Sequence, residues 1–492
     1  MSKEVSPMKE IIDSNNNLPK KYSPQELYVL LEKTENIMTN LIGSVGLPNE
    51  NIVMTTIDRK KVFNNLQVII DEINVDKSSM FYLSKFIYAV SSGLFDAALN
   101  YLWDATITEL RMRIINFNVE YFFDVTVTNT EKRAKLKNDS DLVKIQDADL
   151  LVGVKKIELI DDITYNELDH IRYMRNWSSA AHPNDFQLSG YKLIDWLETC
   201  IKSVFNLPVS PLNLEIKKLL ADIKTTTFTS SDIAAKKPFF SKLPINQCNS
   251  LLKGFFGIFI SQESNTEART NIAQMIPELW VLASKETKVS IGFKYGNLKI
   301  NSHTAEATSA RRFLDLANGQ SFIPDDLRIS EIANILSDLT EAHNNMNNFY
   351  TEPALAKQLY QFVGDHSNLP TSINDQYVST VINCYITNGN GIAWSADDYY
   401  KKMIASFTDD QAQKALLSFT DSLISMKLDF PLCTEQFKTM LSLISTHFAS
   451  GTPQNLLNFI SSFPTNLSKL KNDATYKKSY EHYVQTYSPF LN

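Results

Sequence analysis

Apolar residues recur at helical spacing along nearly all of this 492-residue chain, and strand-like alternation is confined to one short stretch. Nothing else limits the fold so strongly. Between Ser79 and Phe117 one stripe runs through Leu83, Phe86, Ile87, Val90, Leu94, Ala97, Ala98, Tyr101 and Ala105, the three- and four-residue step of a helix with one buried face. Ser92-Gly93 is placed to bend or break that run. With only 14 glycines and 17 prolines, and 43% hydrophobic residues, the chain has few turn signals and much to bury. The expectation is an all-α protein, too long for one core and divided into several domains.

Residues 1 to 22 read as a leader. Ser23-Pro24 then caps and opens a helix carrying Leu27, Leu30, Leu31, Ile37 and Leu41. A second helix is expected over 58 to 73. Beyond the long run, helices are expected near 141 to 151, over 165 to 181 and over 190 to 205. Pro208 and Pro211 mark a boundary, so the division is 1–75, 76–210, 211–320 and 321–492. KVSIGFKYGNLKI, at 288 to 300, alternates around Gly296-Asn297 and predicts a small β-hairpin. From 324 onward helix follows helix. Ser395 with Asp398 and Thr408 with Gln411 have capping-box spacing, and Thr452-Pro453 opens another helix. Short joints between these starts fit either stacked hairpins of a solenoid, which present an extended partner-binding surface, or a compact bundle.

Several functions are disfavoured at once. A net charge of −7 gives the whole chain no nucleic-acid footprint. Cys200, Cys248, Cys384 and Cys433 are widely spaced and read as buried thiols in a reducing, cytoplasmic setting. The longest apolar cluster, GFFGIFI at 254 to 260, is far too short to span a membrane. No phosphate-binding P-loop, zinc HExxH or GxSxG sequence occurs, and Gly389-Asn390-Gly391 lacks the third glycine of a dinucleotide loop and reads as a turn. No cofactor and no metal is expected. The basic run Lys132 to Lys137 fits either a solvated loop or a phosphate contact. His170, His303, His343, His366, His447 and His482 have no partner visible in their spacing, and read as exposed or hydrogen-bonded imidazoles.

MRNWSSAAHPN, at 174 to 184, is different. Arg175 and His182 are seven positions apart, roughly 700° of helical turn, so both project from nearly one face about 10 Å apart. Pro183 disfavours helical geometry at His182 and leaves the imidazole at a helix end. Arginine is a permanent cation that grips phosphate, and histidine moves protons near neutrality. Together they suffice for attack of a ribose 2′-hydroxyl on its own phosphodiester.

This segment resembles the HEPN family (higher eukaryotes and prokaryotes nucleotide-binding domain), whose hallmark is Arg, four to six residues, then His, often with a polar residue after the Arg, as Asn176 is here. The resemblance extends to the upstream helical region GLFDAALNYLWDATITELRMRI and the closing amphipathic helix, roughly 76 to 210. It implies a HEPN-like helical bundle, a metal-independent endoribonuclease acting in antiphage defence or a toxin-like system, and a homodimer. Arg175 would stabilise the phosphate, His182 would be the general acid or base, and Asn176 would orient the site, with Asp104 or Glu109 adding an acidic group. The C-terminal helical region would receive a partner or trigger. Residues 76 to 210 hold 15 Lys+Arg against 19 Asp+Glu, a net of −4. That balance favours the other option, a non-catalytic HEPN module for dimerisation and partner binding.

Overall fold

The computed structural model describes residues 22–177, 188–364, 369–464 and 466–488, and among these there are only helices, turns and loops. It divides into two compact units, one up to Thr226 and one from Thr227. The expected leader lies almost wholly outside the described residues, as do His182 and His366.

The first unit contains α1 (Pro24–Ser44), α2 (Thr56–Asp71), α3 (Phe81–Ser91), α4 (Phe95–Phe117), α5 (Val119–Thr126), α6 (Thr130–Ala134), α7 (Asp147–Lys156), α8 (Asp162–Trp177), α9 (Gly190–Cys200) and α10 (Pro211–Thr225). Ser23 closes a capping box with Glu26 at the start of α1. The long run breaks where Ser92-Gly93 stands: Gly93 takes φ +75°, and α3 folds back along α4. α4 is the central post, burying Leu99, Leu102, Trp103, Thr106, Leu110 and Ile114. α9 runs on into a π-helical turn over Ile201–Phe205. There Arg113 of α4 donates to the Phe205 and Leu207 carbonyls at 2.9 and 2.7 Å. Pro211 opens α10 instead of ending the unit, because Asn213 donates to the Glu158 carbonyl at 2.9 Å and Lys224 pairs with Glu120.

The second unit contains α11 (Ser230–Lys242), α12 (Ile245–Ile260), α13 (Thr266–Leu282), α14 (Lys285–Ile300), α15 (Thr304–Leu316), α16 (Asp325–Asn344), α17 (Asn348–Val363), α18 (Thr371–Tyr385), α19 (Trp394–Ala405), α20 (Asp409–Leu417), α21 (Ser422–Lys427), α22 (Pro431–Ile444), α23 (Thr452–Ser462), α24 (Ala474–Ser479) and α25 (Glu481–Tyr487). GFFGIFI belongs to α12, whose Phe255, Phe256, Ile258 and Phe259 are core. Helices α16, α18 and α20 pack in one row, and α17, α19 and α22 in a second row against it.

The hairpin expected over 288 to 300 is replaced by α14. Ser284 caps it, accepting from the Thr287 amide, and Thr287, Ile291, Tyr295 and Leu298 form its buried stripe. The alternation misleads because two of its apolar residues, Phe293 and Ile300, face outward at 58% and 72% exposure. The glycines serve close packing, not a turn: a Cβ on Gly292 would lie 1.8 Å from the Phe322 carbonyl oxygen. The Ser395 cap also fails, since α19 already starts at Trp394 with Ala393 before it. Thr408 does close its box with Gln411, and Thr452 opens α23.

Candidate functional site

Leu168 and Ile171 are the buried residues of α8, and the same stripe reaches Arg175 one turn later. Packing of that stripe against the α4 side of the unit therefore fixes where the guanidinium emerges. Arg175 is half-buried. Its Nη1 donates to Asn176 Oδ1 at 3.1 Å, while its Nε is buried with no hydrogen-bond partner among the described residues. Asn176 itself is exposed.

Across from α8, α4 presents Tyr101, Asp104, Thr108 and Arg111 at three- and four-residue steps, along the edge of its buried face. Burial raises the Asp104 carboxyl above its ordinary range. The Arg175 charge pulls it down, Asp147 pushes it up, and Lys85 and Arg111 pull it down again. Asp147 is held by the Trp103 indole N–H at 2.7 Å and lies 3.8 Å from Arg111. Of the two acidic groups weighed from sequence, Asp104 therefore shares Arg175's field. Glu109 instead accepts from Arg113 at 3.0 Å, in the cluster that braces the π-turn. The structure thus brings together Arg175, Asn176 and Asp104, and His182 lies outside the described residues. A half-buried arginine near a carboxyl reluctant to ionise is suited to holding an anion.

The basic run is largely spent on the fold. Arg133 pairs with Asp124 at 2.6 Å and donates to the Leu136 carbonyl, and Lys132 lies 3.7 Å from Asp149. Gly389 and Gly391 take positive φ in the loop between α18 and α19, a turn as expected. The first unit also holds a cavity of about 300 Å³ between α4 and α10, lined by Arg113, Phe117, Leu159 and Leu214.

No protein-family model, curated protein or solved structure matches this chain. The family resemblance accordingly rests on the 174–184 segment and on the order of helices around it.

A second constellation, in the second unit, was missed by spacing alone. His343, Glu352 and Cys384 are buried, with their polar atoms within 4.8 Å of one another. His343 Nδ1 meets Glu352 Oε1 at 2.8 Å, Asn348 donates to the same oxygen at 2.9 Å, and the Tyr400 hydroxyl donates to Oε2 at 2.9 Å. On the far side of the ring, Lys427 Nζ lies 2.8 Å from His343 Nε2 and donates to the Asn383 carbonyl at 2.9 Å. The ring thus bridges the carboxylate on its Nδ1 side and the ammonium on its Nε2 side. Burial alone would raise the Glu352 carboxyl. The bond and charge of His343, with bonds from Asn348 and Tyr400, outweigh it and hold the group below its ordinary value. Burial also pushes the Cys384 thiol up and the Lys427 ammonium down.

By residue type this set suits a soft divalent metal. By geometry the ligand atoms of His343 and Glu352 are already committed, and a cation sits on the imidazole. The arrangement is therefore that of a satisfied polar network tying α16, α17, α18, α19 and α21 together. Its members are far apart in sequence, and only the pairing of α16 with α17 and α18 assembles them. The signal available from sequence was weak: charged or polar residues at positions that helical periodicity assigns to the core.

Proposed function

We propose that the first unit is a metal-independent endoribonuclease of HEPN type, cleaving RNA by 2′-hydroxyl attack in an antiphage or toxin-like system. The observation that supports this is Arg175: it stands on the buried stripe of α8, and its charge lowers the carboxyl of the half-buried Asp104. Arg175 neutralises charge developing on the phosphate. His182, seven residues on, transfers the proton between the 2′-oxygen and the leaving 5′-oxygen, and Asn176 orients the guanidinium. Two proton-transfer roles on one phosphate call for a second copy of the motif, which a two-fold homodimer supplies. The helical C-terminal region receives the partner or trigger that controls cleavage.

The test incubates purified full-length protein with total RNA in EDTA. Cleavage leaving 2′,3′-cyclic phosphate ends is expected, reduced ~10²–10⁴-fold in His182→Ala and at least as far in Arg175→Ala. Full activity in His182→Ala, or strict dependence on magnesium, overturns the assignment. A non-catalytic HEPN module for dimerisation is the second reading, favoured by the net charge of −4 over residues 76 to 210. It predicts dimers and no cleavage in the same assay.

A further inference from the structure

The face next to Asp104 and Arg175 carries aromatic rings that the core does not use. α3 buries Leu83, Phe86, Ala89 and Val90 on one side. On the other it turns Phe81 and Tyr82 to solvent, 72% and 36% exposed, with Lys85 one turn on. The Lys85 ammonium lies 5.2 Å from the Tyr82 ring centre and 5.6 Å from that of Tyr101 on α4. It makes no ion pair with a carboxylate among the described residues. Tyr101 is one turn before Asp104, and Lys85 and Arg175 act on the same Asp104 carboxyl. Tyr82, Lys85 and Tyr101 thus form one ledge of rings around a cation, one turn of α4 from Asp104.

We infer that this ledge binds unpaired RNA: bases stack on the exposed Tyr82 and on Tyr101, Lys85 meets the backbone phosphate between them, and the strand continues toward Asp104 and Arg175. The inference rests on the ribonuclease reading for the choice of nucleic acid. Three physical points select single-stranded RNA over a protein partner or a duplex. A lysine among the rings gives an apolar partner a charge to desolvate, whereas a polyanion gains from it. Each base offers a π-face to a ring, and single strands are commonly held by such platforms beside a cationic track. In an A-form duplex the bases are stacked on each other, so no base face is free to lie on a ring. The overall negative charge of the unit is then no obstacle, because stacking rather than a broad basic field supplies much of the affinity.

The experiment measures fluorescence anisotropy of a labelled 12-nucleotide single strand, 2′-O-methylated to block cleavage, on the full chain. The same strand annealed to its complement is the second ligand. Tyr82→Ala is expected to weaken single-strand binding about 5- to 150-fold, the worth of one base on one ring. Lys85→Ala should flatten the salt dependence by about 0.7 in log–log slope. Equal affinity of Tyr82→Ala and the parent for the single strand, or tighter binding of the duplex, overturns the inference. Loss of folding is checked by circular dichroism, and Tyr82→Phe, which keeps the ring, should retain binding. If His182→Ala still cleaves while Tyr82→Ala binds poorly, the HEPN-type catalytic role of His182 falls and the ledge stands.

Discussion

Replacing Glu352 by Gln removes one negative charge and almost no volume, so it isolates the electrostatics of the α16–α21 network. The carboxylate accepts from His343, Asn348 and Tyr400, and through His343 it balances Lys427. Glutamine accepts on one oxygen only and turns an amide N–H₂ toward at least one of those donors. A stranded buried donor costs about 1–3 kcal/mol. Breaking a buried ion pair from one side costs about 3–5 kcal/mol. Lys427 is only partly buried, so the lower end, about 3 kcal/mol, is expected for the variant. Urea denaturation with hydrogen exchange read by mass spectrometry measures it, and protection should fall in α16 to α21 while the first unit keeps its own. Adding Lys427→Met to Glu352→Gln should recover part of the loss, since neither charge then stands alone. The sign with pH is fixed too. Glu352 is held below its ordinary value of 4.5, so its contribution is complete above that value. It drains as pH falls through the lowered one, and parent and variant should converge on acidification. A Glu352→Gln protein within about 1 kcal/mol of the parent at neutral pH would refute the network's energetic role.

Asp104 has the opposite sign: burial raises its carboxyl, so ionisation at neutral pH costs the fold. Asp104→Asn should raise the melting temperature at pH 7, and the gain should shrink as the medium is acidified toward the ordinary carboxyl range. An unchanged or lower melting temperature at pH 7 contradicts the assignment. Gly292→Ala should cost about 3 kcal/mol, because its Cβ would meet backbone carbonyl oxygen at 1.8 Å and neither partner is a flexible side chain. A neutral result in denaturation would show that α14 does not pack on the Phe322 segment.

Local causes were the most legible, though not without exception: Ser23 caps α1 and Thr408 closes its box with Gln411, whereas Ser395 with Asp398, at the same spacing, does not cap α19. Ser92-Gly93 breaks the long run because only glycine tolerates the positive φ of that corner at no steric cost. The miss over 288 to 300 came from reading glycines as turn residues, when their role depends on a segment 30 residues away. Arg175 was visible because it stands seven positions before His182-Pro183, a spacing that is local in the chain. Glu109 and Asp104 were indistinguishable in sequence, since which one meets Arg175 depends on how α4 and α8 cross. The His343 network was illegible for the same reason, magnified: five helices must pack before its members meet.

Two parallel rows of helices, each touching mainly its neighbours, would ordinarily come apart from the ends inward, like a stack losing its outer plates. The polar knot among His343, Glu352, Tyr400 and Lys427 spans both rows at once. Pulled from its two ends, the stretch from α16 to α21 is therefore expected to give way as one block, and release of single helices at lower force in a stretching experiment would contradict this.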